Sequence, residues 1–281
     1  MGDTGATRVG YQGEPGAFSE TAVLALFPSA KPVPHHAFRD VFEAVQRGSV
    51  DYGMMPIENS QAGSINDTYD LLARGSAAIV GEVIVPVHHA LLALPGTTVE
   101  DVHRVISHPQ ALAQCQDYLG RLDVEVLAVH DTAGAARLIA EEHRIGEAAV
   151  AAERAAAVYG LDVLAAGIED DPNNQTRFVA VSTSRVPLRE PNKTSLLFEL
   201  KSVPGALHRC LGPFAERNLN LSKLESRPLG GRPWEYRFYL DVETGEDDEA
   251  FRAALAAFEE FTVDVKVLGS YPRWQGTPDR G

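Results

Sequence analysis

A polar stretch from Asn173 to Phe178 gathers several side chains that can do chemistry, directly before an apolar run. It holds two asparagines, a glutamine, Thr176 and Arg177. The guanidinium of Arg177 can hold a carboxylate with two hydrogen bonds, and the hydroxyl of Thr176 carries a proton that can be donated. Most polar turns ahead of a strand are only turns. This combination of residue types instead favours a functional site.

A second polar group, Glu58, Asn59 and Ser60, follows the buried strand predicted at residues 52–57. Ligands of open α/β sheets bind beyond the carboxyl ends of the strands, which is where these side chains fall. The alternative is a strand-to-helix turn in which Asn and Ser serve as caps. A carboxylate directly after a buried strand is less usual in such a turn, so the balance shifts towards a site.

A third group, Ser107, Gln110 and Gln114, follows a strand predicted at residues 102–106. Ser107 and Gln110 have the spacing of a capping box, which explains both residues without any function. Gln114 lies seven residues after Ser107, about two helical turns along the same face. The three side chains are therefore expected to face one cleft.

Helix starts offer further places for an anion, because their first backbone N–H groups lack partners within the helix. A glycine-rich loop over residues 12–20 joins the first strand to a helix, and Asp131 or Thr132 is the expected N-cap of a later helix. The loop is neither a Walker sequence nor a dinucleotide fingerprint. Alone, it indicates little.

Strand and helix patterns alternate up to about residue 182, which predicts a largely parallel sheet covered by helices and divided into two lobes around a cleft. The Asn173 stretch then opens a late strand that returns to the first lobe. Residues 184–193 contain two prolines and several charges and are predicted to be a linker. Beyond them the order βαββαβ over roughly 75 residues predicts a ferredoxin-like domain. Pro213 is expected to kink or shorten its first helix.

Composition excludes several classes of function. The chain of 281 residues has a formal net charge of -14 and no run of Lys and Arg, so no nucleic-acid partner is expected. No apolar run approaches the roughly 20 residues that span a bilayer, and the N-terminus lacks signal-peptide features. Its two cysteines lie far apart and outside any metal-ligand spacing. A cytoplasmic protein without membrane contact and without a metal is predicted.

Four motifs, taken together and in order, closely resemble those of the prephenate dehydratase family: residues 13–20, 56–60, 107–110 and 176–178. The C-terminal part resembles an ACT regulatory domain of the phenylalanine-sensing type, through residues 205–207 and 225–228. His208 departs from this pattern, because the family more often has a small apolar residue there. The resemblance covers essentially the whole chain.

The resemblance implies a periplasmic-binding-protein-like catalytic domain over residues 1–185, a linker at 186–193, an ACT domain at 194–272 and a tail at 273–281. It implies conversion of prephenate to phenylpyruvate, CO2 and water, in phenylalanine biosynthesis and without any cofactor. Thr176 is the implied proton donor. The other implied catalytic residues are Glu58, Asn59, Ser107 and Gln114, and the implied substrate-binding residues are Ser19, Ser60, Thr132, Asn174, Gln175, Arg177 and Phe178.

The resemblance also implies feedback regulation by phenylalanine, bound between paired ACT domains of a homodimer or of a tetramer built from dimers. The implied effector-binding residues are Gly205, Ala206, Leu207, Asn218, Leu219, Asn220, Glu225, Ser226 and Arg227. Two alternatives stay open at this point. One is a preference for arogenate, the amino analogue of prephenate. The other is a two-lobed small-molecule sensor without chemistry.

Overall fold

The computed structural model describes residues 6–229, 232 and 234–276. Its chain divides into two compact units. The first unit contains Met1–Thr68 and Val83–Phe178, and the second contains Tyr69–Glu82 and Val179–Gly281. The chain thus passes from one unit to the other three times. The predicted domain boundaries at 185 and 194 remain a prediction.

Fifteen strands and nine α-helices are found in the described residues. The strands are β1 (Arg8–Gln12), β2 (Lys31–His35), β3 (Tyr52–Asn59), β4 (Gly63–Ser64), β5 (Ala78–Pro86), β6 (Ala90–Ala93), β7 (Arg104–Ser107), β8 (Glu125–Ala128), β9 (Glu147–Ala151), β10 (Asp162–Ala166), β11 (Gln175–Ser182), β12 (Lys193–Leu200), β13 (Leu221–Pro228), β14 (Tyr236–Val242) and β15 (Thr262–Tyr271). The helices are α1 (Phe18–Leu26), α2 (Phe38–Gln46), α3 (Asn66–Arg74), α4 (Pro109–Gln114), α5 (Gln116–Leu119), α6 (Thr132–Glu141), α7 (Glu153–Tyr159), α8 (Ala206–Glu216) and α9 (Glu249–Glu259).

The first sheet has the order β2-β1-β3-β11-β5, with the short strand β4 paired to β3. Strand β1 runs parallel to both β2 and β3. Side chains on the amphipathic helix α2, among them Val41, Phe42 and Val45, are buried as the helical spacing of the sequence predicts. Strand β11 begins at Gln175, so the predicted late strand returning to the first sheet is confirmed.

The second sheet has the order β10-β6-β9-β7-β8. Strand β7 runs parallel to β8 and β9, whereas β6 runs antiparallel to β9 and β10. The expectation of a largely parallel arrangement is therefore wrong for β6. A buried apolar run predicts a strand but carries no information on strand direction, which only the pairing decides. Two α/β sheets joined by the chain at β5–β6 and β10–β11 give the predicted two-lobed, periplasmic-binding-protein-like fold.

The third sheet belongs to the C-terminal domain and has the order β13-β14-β12-β15, with antiparallel pairing throughout. Helices α8 and α9 complete the predicted βαββαβ pattern. Its core contains Phe198, Phe214 and Phe258, whose rings meet edge to face. Pro213 does not shorten α8, which continues through it to Glu216.

Strand β2 was missed because it contains Pro32 and Pro34, and proline normally argues against a strand. It lies at the edge of its sheet, where an absent N–H group costs least.

Lys193, predicted as part of the linker, is the first residue of β12 and is buried against Glu82, with Nζ 2.9 Å from Oε1. Burial of Lys193 was not predicted, because the sequence pattern of a buried strand is a run of apolar residues and a buried ion pair does not produce one. No helix in the described ranges is long and apolar enough to cross a bilayer.

Candidate active site

A cavity of about 190 Å³ in the first unit brings together residues from four of the predicted polar stretches. Thr176 and Asn59 come from the ends of two neighbouring strands, β11 and β3. Gln114 ends helix α4, and Thr132 begins helix α6. Its lining is completed by Phe18, Ala62, Ile65, Val87, His89, His108, Gln110 and Ala111.

The side chain of Asn59 is fixed in one orientation by the backbone that follows it. Its Oδ1 accepts hydrogen bonds from the backbone N–H groups of Gln61 at 3.1 Å and Ala62 at 2.9 Å. Backbone N–H groups can only donate, so the oxygen must lie on this side and Nδ2 on the other. Nδ2 then reaches Asn174 Oδ1 at 2.8 Å and Thr176 Oγ1 at 3.0 Å.

The hydroxyl of Thr176 consequently accepts a hydrogen bond from Asn59 and keeps its own hydrogen. Thr176 is 9% exposed and lines the cavity, so that hydrogen is available to an atom bound there. Accepting a hydrogen bond polarises the O–H bond and makes its proton easier to donate. A threonine hydroxyl alone is a very weak acid, so Thr176 needs a neighbour that polarises its O–H bond before it can donate a proton. The hydrogen bond from Asn59 supplies this polarisation.

Gln114 also lines the cavity. Its Oε1 lies 3.0 Å from His89 Nε2, and its Nε2 donates to Gln61 Oε1 at 3.2 Å. The sequence analysis did not single out His89 as a site residue. The ring is 2% exposed, and burial lowers the pKa of His89 below its usual 6.5. The sequence signal that could have indicated His89 was its position between two apolar runs.

The glycine-rich loop between β1 and α1 places Phe18 at the cavity. Gly16 has φ +90°, and a Cβ there would come within 2.9 Å of Ala155 Cα, so only glycine permits this close packing on α7. Glu20 ties the loop down by accepting from Gly16 N at 2.9 Å and from Arg154 Nε at 2.8 Å. Gly16 of the loop thus serves packing against α7.

Thr132 lines the cavity as the first residue of α6, and Asp131 is the N-cap, whose side chain accepts from Gly134 N. This confirms the predicted helix start. A separate cavity of about 420 Å³ has Asp131, His35, His130 and Arg137 in its lining. No group of three or more His, Cys, Asp or Glu side chains in the described part of the chain is arranged to hold a metal ion.

Arg177 and Glu58 face each other across β11 and β3. Arg177 Nη1 lies 3.4 Å from Glu58 Oε2, and the arginine side chain is 12% exposed. Neither residue is among those that line the 190 Å³ cavity. The guanidinium that was predicted to hold a substrate carboxylate thus pairs with a carboxylate of the protein itself. Its role towards the substrate remains a prediction.

Ser107 does not form the predicted capping box. Its Oγ donates to Val150 O at 2.5 Å, and the residue is fully buried. His108 is the N-cap of α4 instead, with its side chain accepting from Gln110 N. The strand β7 continues through Ser107, which turns the hydroxyl towards the neighbouring strand β9 and away from the cavity lining. The predicted common face of Ser107 with Gln114 is therefore wrong.

The remaining predicted substrate residues do not line the cavity. Ser60 and Gln175 bind each other through two hydrogen bonds of 2.9 Å, Ser60 N to Gln175 O and Gln175 N to Ser60 Oγ. Asn174 is 1% exposed and accepts from Asn59. Ser19 and Phe178 are buried. Ser60, Asn174 and Gln175 thus hold the end of β3 against the start of β11.

The second unit has its own cavity of about 890 Å³, beside the start of α8. Gly205, Ala206, Leu207 and His208 lie in its lining, and Gly205, with φ +73°, is the N-cap. The other predicted effector residues lie outside this lining, although the same unit contains them: Asn218, Leu219, Asn220, Glu225, Ser226 and Arg227. Arg227 binds Asp70, with Nη2 and Oδ2 3.0 Å apart.

Comparison with known proteins decides the family. Residues 9–186 match the family model described as prephenate dehydratase, and residues 194–260 match that of the ACT domain. The chain belongs to the prephenate dehydratase family. As a member of it, the chain is an enzyme of the lyase class with a C-terminal ACT domain, as the motifs predicted.

Relatives of this prephenate dehydratase family member are similar over nearly its whole length. Arogenate dehydratase/prephenate dehydratase 2 of Arabidopsis thaliana is 47% identical over 278 residues, which cover 94% of this chain and 72% of the relative. The crystal structure of an Arthrobacter aurescens prephenate dehydratase in complex with L-Phe is 33% identical. It has a TM-score of 0.85, with 95% of this chain and 90% of that chain covered.

Another solved structure, described as GqqA, a novel type of quorum quenching acylases, is 35% identical. Its TM-score is 0.88, with 95% of this chain and 98% of that chain covered. The family fold therefore also occurs in a protein described as an acylase.

Proposed function

We propose that the chain converts prephenate to phenylpyruvate, CO2 and water, with Thr176 as the proton donor. One observation carries this proposal. Asn59 donates to Thr176 Oγ1 at 3.0 Å, so the hydroxyl hydrogen is left for a ligand in the cavity. A leaving hydroxyl group is an atom that needs such a proton.

The reaction balances with a single proton. The C–C bond to the ring carboxylate breaks, its carboxylate leaves as CO2, and the electron pair enters the ring. The ring C–O bond breaks at the same time, and the hydroxyl leaves as water with the proton of Thr176. The aromatic ring provides the driving force, so the protein must supply orientation and the proton. A proton from solvent then restores Thr176.

Groups around the cavity are suited to orienting an anionic substrate. Helix α6 directs its N-terminus, with the Thr132 residue, to the cavity, which favours a carboxylate. Gln114 adds an amide N–H donor, and Phe18 adds an apolar face for the ring. The ion pair of Glu58 with Arg177 keeps the carboxylate of Glu58 from repelling the dianion.

The test is steady-state turnover of prephenate by the purified chain, with phenylpyruvate measured by chromatography. Turnover by the wild type that falls by a factor of about 100 or more in Thr176→Ala supports the proposal. Full activity in the variant would remove Thr176 from the mechanism. Prephenate binding by calorimetry without turnover would instead favour a sensor.

Arogenate is a second candidate substrate, because the similar Arabidopsis relative is named for both activities. Arogenate differs from prephenate by an amino group in place of a keto group, and the same dehydration applies to it. Comparison of kcat/KM for the two substrates decides between them. A ratio above about 10 in favour of arogenate would replace prephenate as the proposed substrate.

An acylase reaction is not favoured by the contacts of Thr176. A threonine nucleophile needs a base to take its proton. Asn59, the side chain in contact with the Thr176 oxygen, is an amide that donates a hydrogen bond. Incubation with an acylated homoserine lactone should therefore release no fatty acid under conditions in which prephenate is turned over.

We further propose that phenylalanine binds to the ACT domain and inhibits the enzyme. The structure with L-Phe shows that a relative binds this amino acid. In this chain the cavity beside Gly205 offers the N–H groups at the start of α8 to a carboxylate, and Leu207 and Phe238 offer apolar surface. Glu225 lies outside this cavity lining. We infer that a second copy of the chain supplies Glu225 and its neighbours.

Leu207→Asp tests the effector site, because it places a carboxylate where the amino-acid carboxylate is expected. We expect the inhibition curve to move to at least tenfold higher phenylalanine, and Glu225→Ala to move it as well. Val163→Asp, an exposed valine of the first unit, is the matched control. Sedimentation with and without phenylalanine measures the assembly, and an unmoved curve in both ACT variants would refute the assignment.

A further inference from the structure

His89 occupies the short connection between β5 and β6, beside the cavity that contains Thr176. Its main chain is held on both sides: His89 N donates to Glu169 Oε2 at 2.8 Å, and His89 O accepts from Ile168 N at 3.1 Å. Phe18 meets the imidazole edge to face, with ring centroids 5.5 Å apart. The ring is therefore buried in a fixed position.

The two ring nitrogens have different surroundings. Nε2 lies 3.0 Å from Gln114 Oε1, whereas Nδ1 is buried and has no hydrogen-bond partner among the described residues. An amide oxygen only accepts, so Nε2 must carry a hydrogen in this contact. The Gln114 N–H groups then point away from His89, and one of them donates to Gln61 Oε1.

We propose that His89 is a positioning residue for the dehydration: as a neutral imidazole with its hydrogen on Nε2, it holds the Gln114 oxygen and turns the Gln114 N–H groups towards the substrate. This rests on the proposed function, because Gln114 is taken to donate to an oxygen of the substrate. Without the histidine the Gln114 amide can rotate, and its oxygen would then face an anionic ligand and repel it.

The charges around the ring agree with a neutral imidazole. Glu169 is the nearest carboxylate, but its oxygens bind the backbone of His89 and the side chain of His88, at 2.8 and 2.6 Å. A second proton on His89 Nδ1 would be a buried charge without an acceptor. Burial accordingly lowers the pKa of His89, although the hydrogen bond to Gln114 and the charge of Glu169 oppose this, and His88 adds to it.

The tautomer can be measured directly. A two-bond ¹H–¹⁵N correlation spectrum of the ¹⁵N-histidine-labelled full chain distinguishes protonated from unprotonated ring nitrogens, and His89→Gln assigns the His89 signals among nine histidines. We expect a protonated Nε2 and an unprotonated Nδ1 in the substrate-free protein. The opposite tautomer would mean that Gln114 donates to the histidine, which overturns the proposal.

Kinetics test whether the contact acts through Gln114. His89→Leu should lower kcat/KM by about tenfold, the effect of one hydrogen bond, and His89→Gln should recover part of it because its amide can donate. In a Gln114→Ala background the same His89→Leu change should have less than a twofold effect. Losses that simply multiply would overturn the proposal, because a general structural role predicts them.

His88→Leu is the matched control, since His88 adjoins His89 but has a side chain that is 58% exposed and pairs with Glu169. It should change kcat/KM by less than twofold. If His89→Leu fails to fold, the cycle is run with His89→Gln and the tautomer still decides. A wild type that turns over neither prephenate nor arogenate refutes the proposed function, while the spectrum still decides the contact between His89 and Gln114.

Discussion

Replacing Thr176 by valine removes a hydroxyl from the cavity without changing the side-chain volume much. If Thr176 donates the proton to the leaving group, kcat should fall by a factor of about 10² to 10⁴, the usual contribution of a general acid. Asn59 keeps its other acceptors, Asn174 Oδ1 at 2.8 Å and Gln175 O at 3.2 Å. The free energy of unfolding should therefore fall by only about 0.5–1.5 kcal/mol.

Thr68→Val is a matched control for this variant. Thr68 is also a buried threonine of the first unit, and its Oγ1 donates to Pro56 O at 2.6 Å. Its loss should lower the free energy of unfolding by a similar amount, about 0.5–1.5 kcal/mol, because each change removes one hydrogen bond. Its kcat should stay within about twofold of the wild type, because the hydroxyl is bound to backbone away from the cavity.

The assay measures kcat and KM for prephenate in the wild type and both valine variants, with the free energy of unfolding from urea titrations. Calorimetry with the slow Thr176→Val variant gives the substrate Kd, which should stay within about threefold of the wild-type KM. A Thr176→Val enzyme with kcat within threefold of the wild type would refute the reasoning. A comparable loss of kcat in Thr68→Val would also refute it, since damage to packing would then suffice.

Three further predictions concern buried titratable groups. Lys193→Met leaves Glu82 buried without its lysine, so the free energy of unfolding should fall by about 3–5 kcal/mol in urea titrations, and Lys193→Met with Glu82→Leu should recover much of the loss. Burial lowers the pKa of His89 in the folded state below its usual 6.5. The neutral imidazole therefore contributes stability that is fully present above pH 6.5 and is lost as the pH falls from 6.5 to the folded-state pKa. The difference in free energy of unfolding between the wild type and His89→Gln should shrink over this pH range. Burial raises the pKa of Cys115 to about 12 and that of Cys210 to about 11, so both thiols should react with a disulfide reagent only after unfolding; fast reaction in the native protein would contradict this.

Much of the fold was predictable from local patterns. The spacing of Phe38, Val41, Phe42 and Val45 is that of an apolar helical face, and α2 buries Val41, Phe42 and Val45 of it. The order βαββαβ predicted the C-terminal domain, because this order of strands and helices is that of the ferredoxin-like motif. Strand β2 was not predictable, because its two prolines are tolerated only at the edge of a sheet, and edge position is decided by pairing between distant segments.

The sequence by itself determined which chemical groups the site contains: the hydroxyl of Thr176, the amides of Asn59 and Gln114, and the helix start at Thr132. Only the tertiary structure decided how they point. Asn59 Nδ2 meets Thr176 Oγ1 across 117 residues, so only the folded chain brings this donor to the hydroxyl. The tertiary structure likewise decided the ion pair of Arg177 with Glu58 and the hydrogen bond that Ser107 Oγ donates to Val150 O. The physical reason is that a hydrogen bond has a direction fixed by its partners, and those partners are distant in the chain.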